Sequence, residues 1–313
     1  MGAGAVRPFT GVMTQQTQNQ QAEKQQTENQ QTGRTDHHRR IRTVLVTQAT
    51  GKTGRVVAEA AERAGLDVRR GSRSAAVPFD WTDRSTWDAA LDGVDAVYLA
   101  HYFDIGAPGT AEDVAALAAK ALEKGVRRLV LLSARGEPQA APAERALRDS
   151  GADWTIVQAA WFMQNFSEGE MYGGMQATGE LAFPAGETLE PFIDTRDIAD
   201  IVVAALTDEA HIGKAYDVTG PRLLSFRTAV EEIGAAAGRE IPYIPVPAQA
   251  YGEILTEIGT PGPVAEFLVE LFETMLDGHN ASVTDGVRQA LGRAPRTFEE
   301  FVREHASAGT WKA

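Results

Sequence analysis

The stretch Val44-Leu45-Val46-Thr47-Gln48-Ala49-Thr50-Gly51-Lys52-Thr53-Gly54-Arg55 decides the fold. Its first residues are β-branched or aliphatic without the polar alternation of a half-exposed strand, so they predict a strand buried on both faces of a parallel sheet. Gly51 and Gly54 then mark a turn. Beyond it, Val56, Val57, Ala60 and Ala61 share one stripe of a helix expected over residues 54–65. Strand, glycine turn and helix in that order form a unit on which a dinucleotide pyrophosphate docks: amides at the helix N-terminus face the anion, and glycines let the backbone come close.

Gln48 stands where such a turn has its first glycine. Its amide either crowds a nucleotide or hydrogen-bonds to it, and a tolerated turn variant is the plainer alternative. Gly51-Lys52-Thr53 also matches the end of a P-loop, GxxxxGK[ST]. The first glycine of that motif would fall on Val46, inside the strand, so its nest of backbone N–H groups cannot form.

Outward from the turn, short β-branched runs alternate with longer helical ones, the pattern of βαβ units. Strands are expected at 43–47, in LDVRRGSR, at VPFD, at 96–100, at 128–133 and at 154–157. Helices are expected at 83–91, at about 110–124, near 141–150 and at 264–276. The expected fold is α/β, a Rossmann-like doubly wound parallel sheet with a smaller C-terminal substrate-binding lobe that closes over the crevice at the strand ends. Residues 41–158 make the dinucleotide domain and 159–313 mainly the lobe, with some segments returning to the sheet. Residues 1–40, rich in Gln, Thr and Asn, have almost nothing to bury and are expected to be a disordered tail. His37, His38, Arg39 and Arg40 within it read as solvated chain.

The second strand ends in Arg69, Arg70, Gly71, Ser72 and Arg73, without the acidic residue that holds a ribose 2′-hydroxyl. Guanidinium groups there suit a 2′-phosphate, which favours NADPH over NADH, although a solvated basic turn explains the same residues. Asp80 is placed to meet the adenine amino group, and helix capping by Thr82 and Asp83 is the alternative for that segment. The expected cofactor contacts are Gln48, Thr50, Gly51, Thr53, Gly54, Ser72, Arg73 and Asp80.

A formal charge of −13 argues against a nucleic-acid partner, because phosphate-backbone binding relies on clustered Lys and Arg. With no cysteine, disulfides, thiolate nucleophiles and Cys-ligated zinc are excluded, and no spacing of His and carboxylates resembles a metal site. No apolar run approaches the roughly 20 residues that cross a bilayer, so a cytoplasmic protein is expected.

In these residues the chain resembles the NmrA-like, atypical short-chain dehydrogenase/reductase group, over about residues 42–306. It is most similar to the branch of bacterial NAD(P)H-dependent quinone reductase-like and fungal ergot-alkaloid reductase-like proteins. TQATGKTGR, the GSRS turn at Gly71 to Ser74, ADWTIVQAAWFMQNF, PFIDTRDIADIV, AYDVTGP and VTDGVRQALGRAPRTFEEF carry the resemblance together and in order. It implies a Rossmann domain, NADP(H), and either reduction of a small molecule or dinucleotide sensing. Gly51 and Gly54 match the pyrophosphate turn and Arg73 the 2′-phosphate contact. Gln48 departs from the usual glycine, and Gln158-Ala159 from the family's Arg-Pro.

The Tyr-x-x-x-Lys pair of ordinary short-chain dehydrogenases is missing: none of the six tyrosines has a lysine four residues on, and no lysine lies between Lys124 and Lys214. His101 after AVYLA is the candidate general acid or base, with a purely structural hydrogen bond as the alternative, and Tyr102 is a candidate to orient or protonate substrate. Trp161, Asn165, Tyr172 and Gln158 are candidate substrate contacts in an aromatic pocket suited to a planar or polycyclic molecule. Phe162 and Phe166, spaced by four on an expected helix, are assigned to the core. The leading expectation is an NADPH-dependent reductase of a hydrophobic quinone, imine or enone. The alternatives are a redox-neutral cyclase or isomerase, and a non-enzymatic NAD(P) sensor.

Overall fold

The computed structural model describes residues 1–2 and 41–312. The Gln-rich tail expected over 1–40, with its two histidines, lies outside the described residues apart from the first two. Strand β1 (Thr43–Thr47) lies second from one edge of a six-stranded parallel sheet, in the order β2 (Asp67–Gly71), β1, β3 (Ala96–Leu99), β4 (Arg128–Ala134), β5 (Asp153–Ala159) and β8 (Lys214–Val218). Val44 and Val46 point to one face and Leu45 to the other, and all three are fully buried. At about 1.5–3 kcal/mol for each such side chain, this burial explains why the run is continuously apolar.

Helix α1 (Lys52–Arg63) lays Val56, Val57, Ala60 and Ala61 against the sheet, and β2 (Asp67–Gly71) forms its edge. The strand expected at VPFD is reduced to a single bridge between Asp80 and Asp83. Pro78 carries no backbone donor, and the Asp80 carboxylate accepts from the backbone N–H and hydroxyl of Thr82, which turns the chain out of extended geometry. Phe79, Trp81 and Trp87 bury themselves edge to face below this turn, and the Trp81 indole donates to the Ala100 carbonyl at 2.9 Å.

The chain continues through α2 (Trp87–Leu91), β3 (Ala96–Leu99), α3 (Thr110–Glu123), β4 (Arg128–Ala134), α4 (Ala141–Arg148) and β5 (Asp153–Ala159). Helices α2 to α4 cover the face that carries Leu45, Val97 and Leu129. After β5, a 3₁₀ turn at Met163–Phe166 leads to α5 (Glu170–Thr178), β6 (Leu181–Phe183) and β7 (Leu189–Glu190). Helix α6 (Thr195–Thr207) packs on α1, and β8 (Lys214–Val218) completes the sheet. Next come β9 (Leu224–Ser225), α7 (Phe226–Ala237), β10 (Tyr243–Pro245), α8 (Ala248–Glu257) and α9 (Gly262–Met275). Helix α10 (Gly286–Leu291) returns to β8 and α6, and α11 (Phe298–Ala308) closes the chain against α7.

Two apolar clusters therefore flank the sheet. A third, built around Met163, Phe166, Phe183, Phe192, Phe226 and Trp311, draws only on residues after Ala160. The sheet order reverses direction between β1 and β3, so the crevice at the carboxyl ends of these strands is where an α/β sheet of this kind takes a ligand.

Candidate functional site

Three loops converge at that crevice. The first is the glycine turn. Gln48 has φ 51°, and it alone among the described non-glycine residues is left-handed. It keeps the backbone that a glycine would supply. At Gly54 a β-carbon would lie 2.0 Å from the Gln48 carbonyl oxygen, so this glycine is fixed by the contact of α1 with the turn. Gly51 begins α1 with no side-chain cap, leaving N-terminal amides turned toward the crevice. Thr50 is exposed, whereas Thr53 is buried and its hydroxyl accepts from Tyr98 at 3.2 Å.

At the end of β2 the basic residues separate by role. Arg69 donates to the carbonyls of Ala90 and Asp92, and Arg70 pairs with Glu62. Arg73 is exposed and makes no hydrogen bond or ion pair among the described residues, so its guanidinium is available to an anion. Ser72 is half-buried, 3.4 Å from the Ser74 hydroxyl. Asp80 is engaged with Thr82, whose hydrogen bonds hold the carboxyl below the ordinary carboxylate range.

Behind the turn lies a cavity of about 440 Å³. Gln48, Gly51, Lys52 and Thr53 form one wall, and residues 100–105 after β3 form another. The end of β4 contributes Leu132 to Arg135 and Glu137, and β5 contributes Ala159 to Phe162. Asn165, Glu190, Leu271, Met275 and Asn280 complete it.

Of the expected side chains, His101, Tyr102, Trp161 and Asn165 come together here. His101 is wedged against Trp81 and Tyr102, with ring centroids 5.1 and 4.6 Å away, and its Nε2 lies 3.6 Å from Asp113. Burial lowers its pKa despite the neighbouring Asp113 and Asp104, so the neutral ring is favoured. Tyr102 is 54% exposed at the rim. Trp161 packs edge to face on Phe183 and Phe226 and presents its remaining surface to the cavity.

Gln158 and Tyr172 do not line the cavity. The Gln158 amide donates to Glu144 at 2.8 Å, and the Tyr172 hydroxyl donates to the Thr310 carbonyl at 3.0 Å. Phe162 does line it, contrary to the core assignment. The helix expected there is a 3₁₀ turn that begins one residue later, which breaks the four-residue spacing and leaves only Phe166 fully buried.

Five polar residues of the cavity, Lys52, Arg135, Glu137, Glu190 and Asn280, were missed in the sequence. Lys52, set aside with the P-loop reading, reaches across to donate to Asn165 Oδ1 at 2.5 Å, and burial lowers its pKa against the pull of Glu168 and Glu170. The cavity thus has a lysine, supplied by the glycine turn. Arg135 donates to Asp217, to the Asn280 carbonyl and to Ser282 at 2.6–2.7 Å, stapling the loop after α9 to the end of β4. Glu137 is 6% exposed, and burial, the Asp104 charge and a hydrogen bond with Asp104 push its pKa up to about 9. Glu190 is fully buried with neither carboxyl oxygen hydrogen-bonded, and burial pushes it up to about 7 against Arg135 and His279. Nothing local in the sequence marks either acid: Glu137 lies in the loop after β4, and Glu190 ends the two-residue β7.

Known proteins match this arrangement along almost the whole described chain. The chain is 32% identical over 287 residues to an NAD(P)H azoreductase of Xenophilus azovorans, covering 85% of this chain and 98% of that one. It is 35% identical over 286 residues to the (4-alkanoyl-5-oxo-2,5-dihydrofuran-3-yl)methyl phosphate reductase of Streptomyces griseus, with the same two coverages of 85% and 98%. An Escherichia coli NADPH-dependent quinone oxidoreductase solved with NADPH shares the fold, with a TM-score of 0.67 at 18% identity, covering 83% of this chain and 99% of that one. The model of the NmrA-like family matches residues 41–302, and the chain belongs to that family.

Proposed function

We propose that the protein is an NAD(P)H-dependent oxidoreductase that prefers NADPH and reduces a hydrophobic, planar acceptor of the quinone, imine or enone class. One observation carries this reading. The uncapped N-terminus of α1, reached through a turn whose Gly54 leaves no room for a side chain, opens directly onto a cavity walled by Trp161, Phe162, Leu271 and Met275. A reduced nicotinamide dinucleotide, when bound, supplies the hydride for such a reduction.

The residues suit that group. The Gly51 N–H closes the turn on the Gln48 carbonyl, the amides of Lys52 and Thr53 at the start of α1 would hold its pyrophosphate, and the unengaged Arg73 would hold a 2′-phosphate. Relatives at 32% and 35% identity are named as a reductase of azo compounds and as a reductase of an unsaturated lactone phosphate, acceptors of related electronic character. The apolar walls orient a flat molecule and exclude water, while Lys52 and Asn165 offer the only side-chain hydrogen bond that spans the turn and the aromatic segment within the cavity lining. The redox-neutral alternative drew on Gln48, on Gln158 and on the missing lysine, and the left-handed backbone of Gln48, which leaves the turn's course that of a glycine, weakens the first of these grounds.

Calorimetric titration of the protein with NADPH and NADH tests this reading. NADPH is expected to bind more tightly, and Arg73→Ala to erase roughly 10- to 100-fold of the difference, the range of one charge-assisted contact. Absence of binding for both nucleotides would sink the proposal. Equal affinities would sink the role of Arg73.

A further inference from the structure

We propose that Glu137 is the proton donor of this cavity and Asp104 the relay that recharges it. The inference rests on the reductase reading and adds what that reading lacks, a source for the proton that accompanies the hydride.

Glu137 is held in place from two sides. Gly136 before it has φ 71°, and a β-carbon there would lie 2.1 Å from the Asn280 side chain, so the loop is pressed against the segment that Arg135 staples. On the other side a β-carbon on Gly106 would lie 1.8 Å from Glu137 Oε1. The carboxyl therefore occupies space that exists only because residue 106 has no side chain. Glu137 is among the residues that line the cavity, while its Oε1, packed against Gly106, is buried and has no hydrogen-bond partner. An unpartnered buried oxygen in a native protein calls for an explanation, and a carboxyl that carries a proton rather than a charge provides one. Asp104, half-buried toward solvent, meets Glu137 through a side-chain hydrogen bond and takes the Gly106 N–H at 2.7 Å.

The other titratable groups around this floor are Arg135, Glu190 and His279. Arg135 is fully engaged with Asp217, Asn280 and Ser282, and His279 with Asp277 and the Gly136 carbonyl. Burial keeps His101 neutral, which makes it a poor acid near pH 7. Burial and the adjacent Asp104 have the opposite effect on Glu137, which keeps its proton.

The step balances simply. The acceptor takes two electrons and one hydrogen as hydride from the reduced nicotinamide dinucleotide named above. The Glu137 O–H bond breaks, its electron pair stays on the carboxylate, and a new O–H or N–H bond forms on the acceptor. Water then returns a proton through Asp104.

The test compares wild type with Glu137→Gln, which keeps shape and hydrogen bonding but has no acid proton. With Glu190 replaced by Gln to remove its own carboxyl band, infrared difference spectra should show a protonated-carboxyl band at pH 7 that is absent once Glu137→Gln is added and otherwise disappears only in the alkaline range. With 2-methyl-1,4-naphthoquinone and methyl red as acceptors, kcat should fall by roughly 10²- to 10⁴-fold, the usual share of general acid catalysis. NADPH affinity should not change. Wild-type turnover by Glu137→Gln would overturn the proposal, as would a band that survives the substitution or is missing at pH 7. If wild type binds NADPH but reduces neither acceptor, the reading of the acceptor class fails, and the infrared titration alone decides whether Glu137 stores the proton. If wild type binds no NADPH, the reductase reading fails and the donor role with it.

Discussion

Gln48 shows how one side chain can be conspicuous in a sequence while its conformation is not. The missing glycine is visible in TQATGKTGR, but the choice between a distorted turn and a strained residue depends on contacts that come from α1. The structure resolves it as strain: φ 51° at a residue with a β-carbon. That conformation costs about 1–2 kcal/mol, against roughly 0.5–1 kcal/mol of extra chain entropy for a glycine. Gln48→Gly is therefore expected to raise stability by up to about 1 kcal/mol in chemical denaturation, and the β-branched Gln48→Val to lower it. A glycine variant less stable than wild type would mean that the Gln48 amide makes a contact worth more than the strain. At the same scale, Lys52 was quoted in the deciding stretch yet missed as a cavity residue, because its partner Asn165 lies 113 positions away.

Among the elements, β1, β3, β4 and β5 could be read because two-sided burial leaves a continuous apolar run. VPFD could not, since a carboxylate turn at Asp80 competes with the sheet for the same backbone. The Phe162 assignment failed where a 3₁₀ turn replaced an α-helix, and that difference is set by the packing of Phe166 on Phe192 and Phe298. The acidic floor stayed hidden for another reason. Glu137 and Asn280 belong to loops that follow β4 and α9, Glu190 ends the two-residue β7, and no period or spacing connects them. Sequence patterns report which face an element buries, whereas a site made of loop ends reports the order of strands in the sheet.

At the scale of the whole molecule, two buried carboxyl groups make stability depend on pH. Glu190 titrates near 4.5 when unfolded and is pushed up to about 7 by burial in the folded protein. Between these values the native state holds the extra proton. Its contribution is fully present below the unfolded pKa and is lost as pH rises through the folded one, with Glu137 extending the loss to about 9. Stability is expected to fall by on the order of a few kcal/mol from pH 5.5 to pH 9, read as a falling melting temperature. Glu190→Gln should flatten the part of that slope between pH 5 and 7. A wild-type profile that rises over this window would mean that water or a counter-ion solvates the floor.

The hydrogen bond from Lys52 to Asn165 also bears on the order of events. One end sits on the nucleotide turn and the other on the segment that carries Trp161 and Phe162. A pyrophosphate at α1 competes with Asn165 for the same ammonium, and an ammonium drawn toward it releases the Asn165 amide to the aromatic wall. The two binding events are then thermodynamically coupled, each altering the affinity of the other by the same factor. Dicoumarol, a flat aromatic probe, is expected to bind differently with and without NADPH, typically by 5-fold or more for couplings above about 1 kcal/mol. Lys52→Met, which frees Asn165 permanently, should abolish that difference and bring dicoumarol binding by the free protein to the level that wild type shows with NADPH. Identical coupling in wild type and variant would place the communication elsewhere. With the coupling in place, whichever molecule enters first alters the site that the second one meets.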